Sequence, residues 1–165
     1  MKKIILIVCT VLATTGLYAQ MPAAQRIPPA VEKKVIVDAP VEAVWEYISD
    51  PANYKELSQV KEFWYEGKAA GSKVIVTSRS GVKRSQTISM KLDEFRRMAY
   101  EVKESGYGLE KPAHILLEIR PADNNGKSEV VMSVMFGFDK LPDDAKKDFA
   151  QEFDDIAAGL AKKFK

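Results

Sequence analysis

Residues 35–45 read VIVDAPVEAVW, and within this stretch the sequence changes from the period of a strand to that of a helix. Apolar residues recur with period two between Val31 and Val37, which is typical of a half-buried strand. Pro40 suits the first position of a helix, and Glu42 in the first turn favours the same start. The apolar residues that then recur at helical spacing are Val41, Val44, Trp45 and Ile48. The stretch therefore predicts a strand that leads directly into a short amphipathic helix.

A second short helix and a series of strands follow. Asp50 and Pro51 repeat the signal of a capping residue before a proline, which predicts a helix through Leu57. Six later segments mostly show the period of two that is typical of strands. Turns that contain glycine or asparagine separate these segments from one another, except at Arg96 and Arg97, where neither residue is present. The predicted strands are residues 60–66, 73–80, 84–95, 98–104, 113–120 and 129–139. Their short connections predict antiparallel hairpins.

The C-terminal segment has the pattern of one long amphipathic helix. Pro142 and Asp143 open it. Its apolar residues, which follow one another at spacings of four, three, four and four, are Phe149, Phe153, Ile156, Leu160 and Phe164. Charged residues of both signs occupy the other faces, as on a solvated helix. The segment should therefore pack one face against the sheet.

The order of these elements resembles the START/Bet v 1-like superfamily, also called SRPBCC, in its polyketide cyclase/dehydrase-like branch. Residues 35–45 are similar to the opening strand, proline and first helix of that superfamily, and residues 49–54, SDPANY, to its turn between the first two helices. The resemblance covers residues 31–165. It implies an α+β helix-grip fold: a curved antiparallel sheet, two short helices after the first strand, and a long C-terminal helix packed across the sheet. Because the superfamily includes carriers, receptors and cyclases, the resemblance does not fix a function.

The resemblance implies a cavity between the sheet and the last helix, and strand parity indicates which side chains would line it. The candidate ligand-binding residues are Val76, Arg84, Gln86, Ile88, Met90, Tyr100, Leu117, Met132, Val134, Phe136, Phe149, Phe153 and Ile156. Methionines suit an adaptable pocket, but they serve equally as ordinary core residues. Arg84 and Gln86 would either orient the polar part of a ligand inside or lie near a strand end in water.

The residue patterns point to no catalytic or metal site. His114, the single histidine, has the parity opposite to Ile115 and is expected at the surface. The sequence lacks a G-x-S-x-G motif, and its acidic pairs lack the ligand spacing of a calcium loop. Glutamates in the predicted strands lie on polar faces or near strand ends. We therefore expect no metal or other cofactor and name no catalytic residue, so enzymatic activity stays open but is less expected than binding.

The first 19 residues are typical of a cleavable export signal. Lys2 and Lys3 precede an apolar run from Ile4 to Ala13, which is too short to cross a bilayer, and Ala19 suits the processing site. Residues 20–30 contain three prolines and are expected to form a linker to a domain that spans residues 31–165. This order predicts a periplasmic or secreted protein without an integral membrane segment after processing.

The processed chain would carry no cysteine and almost no net charge. Cys9 is the single cysteine and lies within the export signal, so no disulfide is expected after cleavage. Removing Lys2 and Lys3 from the 25 basic residues leaves 23, against 23 acidic residues. This balance argues against a nucleic acid as partner.

Three functions stay open from the sequence. The first is an exported carrier or sequestering protein for an apolar molecule, lipid-like or aromatic. The second is a cyclase-like or dehydratase-like enzyme that acts on such a molecule, and the third is a protein-interaction domain with a filled core. Internal polar groups would distinguish the first two, and cavity volume would distinguish both from the third. Both a monomer and a dimer fit the sequence.

Overall fold

The computed structural model describes residues 27–122 and 126–165. The strands are β1 (Val31–Val37), β2 (Glu62–Tyr65), β3 (Lys73–Thr77), β4 (Lys83–Leu92), β5 (Arg97–Ser105), β6 (Ala113–Pro121) and β7 (Ser128–Met135). The helices are α1 (Val41–Ile48), α2 (Pro51–Ser58) and α3 (Asp143–Lys163). The predicted export signal and the predicted linker up to residue 26 lie outside the described residues.

The strands form one antiparallel sheet in the order β1-β7-β6-β5-β4-β3-β2. Strands β2 to β6 each pair with the next in sequence, which confirms the predicted hairpins, and β1 pairs with β7. The buried stripe of α3 includes Phe149, Phe153 and Ile156 and packs against the sheet, while α2 and β1 contact the helix along its flanks. The predicted α+β helix-grip fold is therefore confirmed.

The two short helices begin where the sequence predicts. Pro40 has an extended backbone and precedes the first residue of α1, while the Asp50 side chain accepts a hydrogen bond from the Ala52 N–H at 2.9 Å and so caps α2. The Trp45 indole N–H donates to Asp93 Oδ1 at 3.0 Å. This contact ties α1 to the connection between β4 and β5.

Three strands end at least three residues earlier than predicted, and one of them is 73–80, which stops at Thr77. The predicted strand 84–95 stops at Leu92, and a single 3-10 turn at Asp93–Phe95 follows. Arg96 then adopts the left-handed conformation with φ 51°. Because this conformation is unfavourable for an arginine, the residue pattern did not predict a turn there. The predicted strand 129–139 stops at Met135, shortly before Gly137 turns the chain with φ 66°.

An irregularity in β4 reverses the orientation of its last residues. Ile88 pairs with Tyr100, whereas Met90 pairs with Ala99. Because adjacent residues of a strand point to opposite faces, Met90 lies on the outer face of the sheet, away from Ile88. The prediction that Met90 lines the interior is wrong, because counting parity along a strand does not detect an inserted residue.

The end of the predicted linker contacts the sheet and the loop before α3. The Ala30 N–H donates to the Val134 carbonyl at 2.8 Å, so pairing with β7 begins one residue before β1. Pro28 and Pro29 line a surface depression together with Phe138 and Leu141. Residues 28–30 are therefore part of the packed structure.

Candidate functional site

A small apolar cavity lies between the sheet and the helices α2 and α3. Its volume is about 30 Å³. Its lining residues are Ile48, Tyr54, Leu57, Met98, Tyr100, Ile115, Leu116, Leu117, Met132, Phe153 and Ile156. Five of the candidate ligand-binding residues are thus brought together here, namely Tyr100, Leu117, Met132, Phe153 and Ile156.

The volume of the cavity decides what it can hold without movement. Pockets for drug-sized ligands measure about 300–1,000 Å³, and a cavity needs roughly 10–15 Å³ to hold a single water molecule. The cavity of about 30 Å³ therefore has room for one or two waters. A larger occupant would require the surrounding side chains, or α3 itself, to move apart.

A buried ion pair lies beside this cavity. Arg84 Nη2 donates to both carboxylate oxygens of Glu152, at 2.6 and 2.8 Å, and the side chains of the two residues are 0% and 3% exposed. Arg84 comes from β4 and Glu152 from α3, so the pair joins the sheet to the long helix. The guanidinium also lies 4.9 Å from the ring centroid of Phe149.

Two further polar side chains complete this buried cluster. The Tyr54 hydroxyl donates to Glu152 Oε1, and Arg84 Nε donates to Gln86 Oε1 at 3.1 Å. Tyr54 also lines the apolar cavity, so it is common to both sites. Of the two alternatives for Arg84 and Gln86, a position in water near a strand end is wrong, since both residues are 1% exposed.

Three buried polar atoms of this region have no hydrogen-bond partner among the described residues. They are Arg84 Nη1, Gln86 Nε2 and Ser105 Oγ. Arg84 and Ser105 are directly opposite each other in the β4–β5 pairing, so the three atoms belong to neighbouring residues. A buried polar atom without a partner costs about 1–3 kcal/mol, and three in one place are unusual for a region that serves packing alone.

Burial and charge shift the pKa values of the cluster. Burial together with the adjacent Glu152 carboxylate raises the pKa of Tyr54 well above its ordinary value and also raises that of Tyr100. Burial alone would lower the pKa of Arg84, but the charge of Glu152 outweighs it and the net shift is upward. At neutral pH the cluster therefore contains a charged arginine and neutral tyrosines.

The remaining candidate residues are buried without lining the apolar cavity. Val76, Ile88 and Val134 have no exposed surface and belong to the core of the sheet. Phe136 lines a surface depression of about 350 Å³ between the β5–β6 and β7–α3 loops, where the Lys111 ammonium lies 5.3 Å from its ring centroid. Strand parity thus predicted burial well but did not distinguish cavity lining from core.

Glu152 and Tyr54 were not among the residues predicted to line the interior. Glu152 was expected nowhere in the interior, yet it stands three residues after Phe149 and four before Ile156, on the stripe that packs on the sheet. An acidic residue at such a position is a signal for a buried partner, because an unpaired buried charge is strongly disfavoured. Tyr54 was assigned to α2, but its phenol reaches the interior, where it stacks on Phe63 with ring centroids 4.7 Å apart.

A second polar cluster surrounds Asp148, one turn before Glu152 on α3. Its Oδ2 accepts hydrogen bonds from Ser78 at 2.9 Å, from Tyr107 at 2.7 Å, and from Ser80. Burial alone would raise the pKa of Asp148, but these three donors lower it. Burial is the main reason why the pKa of Tyr107 rises to about 12. The cluster joins α3 to the β3–β4 turn and to the β5–β6 loop.

The described residues form neither a cluster of metal ligands nor a membrane-spanning helix. In residues 27–122 and 126–165, no three His, Cys, Asp or Glu side chains are grouped closely enough to hold a metal ion. No helix in these ranges combines the length and the apolar character that crossing a membrane requires. His114 is exposed on the outer face of the sheet, as expected.

Comparison with known proteins identifies the family. The family model described as polyketide cyclase/dehydrase and lipid transport matches residues 28–165. The chain belongs to this family. The match begins at Pro28, which lines the depression beside the loop before α3, and it includes both polar clusters. A comparison with curated protein sequences finds no match.

Solved structures of START/Bet v 1-like proteins share the fold. XoxI from Bacillus cereus is 13% identical, with a TM-score of 0.67 over 81% of this chain and 94% of that one. A START superfamily protein from Mycobacterium smegmatis is 14% identical, with a TM-score of 0.60 over 81% and 95%. The Zhui aromatase/cyclase from Streptomyces sp. R1128 is 15% identical, with a TM-score of 0.61 over 81% and 91%. Family and fold are thus those of a ligand-binding or cyclase domain.

Proposed function

We propose that the protein binds an apolar small molecule, lipid-like or aromatic, between the sheet and α3, and carries or sequesters it outside the cytoplasm. One observation carries the proposal: an apolar cavity adjoins a buried polar region in which three atoms lack partners among residues 27–122 and 126–165. Buried polar groups are normally hydrogen-bonded, so interior donors without a partner among the described residues favour a partner from outside the protein. A ligand with an apolar body and a polar end would use both features.

Binding would require the cavity to enlarge. Met98 and Met132 line it, and their unbranched side chains can adopt other rotamers at low cost. Tyr54 and Phe153 come from α2 and α3, so a small displacement of these helices would add volume at the same place. The family description, which includes lipid transport, supports this interpretation.

The buried ion pair also favours a second candidate function, a cyclase-like or dehydratase-like enzyme. Glu152, Arg84 and Tyr54 provide ionisable groups inside the protein, and of these the sequence indicated only Arg84. Both oxygens of Glu152 already accept hydrogen bonds from Arg84, however, and this leaves the carboxylate poorly placed to take a proton from a substrate. Binding without turnover is therefore the better supported function.

The third candidate, a filled core, is supported by the small cavity volume. It predicts that no apolar molecule binds at any concentration that leaves the fold intact. It offers no reason for the unpaired atoms of Arg84 and Gln86, and for that reason we place it below binding.

The decisive experiment is native mass spectrometry of the processed protein purified from its own compartment, followed by extraction and identification of bound molecules. We expect an apolar molecule to copurify, and we expect the intact mass to be that of a chain that begins at Gln20. A protein that copurifies nothing, and that does not bind an apolar fluorophore afterwards, would contradict the proposal.

Two tryptophan variants locate the binding site in the same assay. Met132→Trp fills the cavity and should abolish fluorophore binding, because Met132 lines it and is 2% exposed. Met90→Trp is the matched control, since the same substitution then lies on the outer face of the sheet. Equal binding by both variants would place the fluorophore elsewhere.

A further inference from the structure

The unpaired polar atoms of the interior are mainly hydrogen-bond donors. Arg84 Nη1 carries two N–H groups, and no described residue accepts from them. The orientation of the Gln86 amide follows from its neighbour: because Oε1 accepts from Arg84 Nε, the Nε2 group is the free end. Ser105 Oγ, opposite Arg84 in the sheet, adds one hydroxyl. The unpaired nitrogen atoms are therefore donors only, and the hydroxyl can donate as well as accept.

The charge of this site is already balanced. Glu152 forms a two-oxygen contact with Arg84, and this pair brings the region close to neutrality. A carboxylate ligand would introduce a second buried negative charge beside Glu152 without a second cation. An ammonium ligand would direct donors at donors. A neutral group with acceptor oxygens satisfies both the hydrogen-bonding and the charge condition.

We propose that the ligand class of this protein is a neutral apolar molecule with a carbonyl oxygen, such as a ketone or an ester, which accepts hydrogen bonds from Arg84 and Gln86. The inference rests on the proposed function, since the apolar body would occupy the adjoining cavity. Tyr54 connects the two parts because it lines the cavity and its hydroxyl contacts Glu152. Hydrogen bonds to the carbonyl oxygen would thus determine which ligand binds, and the cavity would supply the apolar contacts.

A series of naphthalene derivatives with one ring system and different head groups tests this inference. We would measure the affinities of naphthalene, its methyl ketone, its carboxylate and its methylammonium derivative by calorimetry on the processed protein. The ketone should bind at least about tenfold more tightly than naphthalene, as expected for hydrogen bonds to buried donors that otherwise have no partner. The two charged derivatives should bind more weakly than naphthalene.

The variant Gln86→Glu assigns the preference to the proposed donor. It keeps an acceptor for Arg84 Nε but replaces the free amide nitrogen by oxygen, so the ketone should lose most of its advantage while the affinity for naphthalene stays unchanged. Ser85→Ala, on the opposite face of the same strand, is the control and should preserve the ketone preference.

The outcomes separate this inference from the proposed function. Equal wild-type affinities for naphthalene and its ketone would overturn the inference and leave the proposed function standing. A preference for the carboxylate would also overturn it. If none of the four compounds binds, the proposed function fails, and the inference with it. Should Gln86→Glu not fold, the wild-type series decides by itself.

Discussion

Arg84 and Glu152 form an ion pair that is almost completely withdrawn from water. Desolvation of two charges costs roughly as much as their attraction returns, so such a pair contributes little net stability. Its members nevertheless depend on each other, because removal of one leaves the other buried without a counter-ion. The pair therefore determines the chemistry of the interior more than its stability.

The first prediction follows from this dependence. Glu152→Gln should lower the free energy of unfolding by about 3–5 kcal/mol, whereas the double variant Arg84→Met with Glu152→Leu should lose less than the single variant. Urea denaturation measures both. Glu118→Gln breaks a partly exposed pair with Arg97 and should cost less than about 1 kcal/mol. A double variant less stable than Glu152→Gln would show that the pair is strongly stabilising.

The second prediction concerns Phe153, which lines the cavity and is 2% exposed. Phe153→Ala should lower the free energy of unfolding by about 3–5 kcal/mol and enlarge the cavity by the volume of the lost ring. Affinity for naphthalene, measured by calorimetry, should increase at the same time. Phe95→Ala removes the same ring from a site that is 64% exposed and should change neither quantity. A destabilised Phe153→Ala protein with unchanged affinity would place ligand binding outside this cavity.

At the scale of elements, the sequence predicted the architecture but not the details on which the site depends. Period-two and helical patterns located the seven strands and three helices, because burial of one face imposes those periods. Met90 escaped the pattern, since one inserted residue in β4 reverses every orientation after it. The position of Glu152 on the apolar stripe of α3 signals its burial, but its partner is an arginine 68 residues away, which local patterns do not identify.

The third prediction concerns the close contact of α2 and α3. A Cβ atom built at Gly159 would lie 2.8 Å from Leu57 Cδ2 and 3.3 Å from Leu57 Cα. In an ordinary helix, Gly→Ala adds about 1 kcal/mol of stability, but here it should destabilise by about 1–3 kcal/mol through overpacking. Thermal and urea unfolding measure whether the free energy of unfolding rises or falls. In a Leu57→Ala background the destabilisation by Gly159→Ala should be smaller, because part of the contacting side chain is gone. If Gly159→Ala alone stabilised the protein, α2 and α3 would separate easily.

At the scale of the whole molecule, α3 is joined to the sheet by acidic residues along one face. Asp148 accepts hydrogen bonds from the β3–β4 turn and the β5–β6 loop, Glu152 pairs with β4, and Asp155 pairs with Arg79 at 3.0 Å. Apolar contacts of Phe149 and Phe153 alternate with these polar ones along the helix. Displacement of α3 for ligand entry would therefore require polar contacts to break as well as apolar surface to separate.

The fourth prediction is that Asp148 makes this attachment dependent on pH. Its pKa is lowered in the folded protein, so its contribution is complete above the unfolded value of about 3.9 and is lost as the pH falls through the lower, folded value. Asp148→Asn should therefore reduce the free energy of unfolding at pH 7 by about 1.5–3 kcal/mol, the range for hydrogen bonds to charged groups, and this difference should narrow towards pH 3. Urea titrations at both pH values measure it. Asp38→Asn, at a largely exposed position, is the control and should stay within about 0.5 kcal/mol of wild type at both. A difference that is independent of pH would show that the loss comes from the changed hydrogen bonding of the amide and not from ionisation, and the charge of Asp148 would then have no part in holding α3.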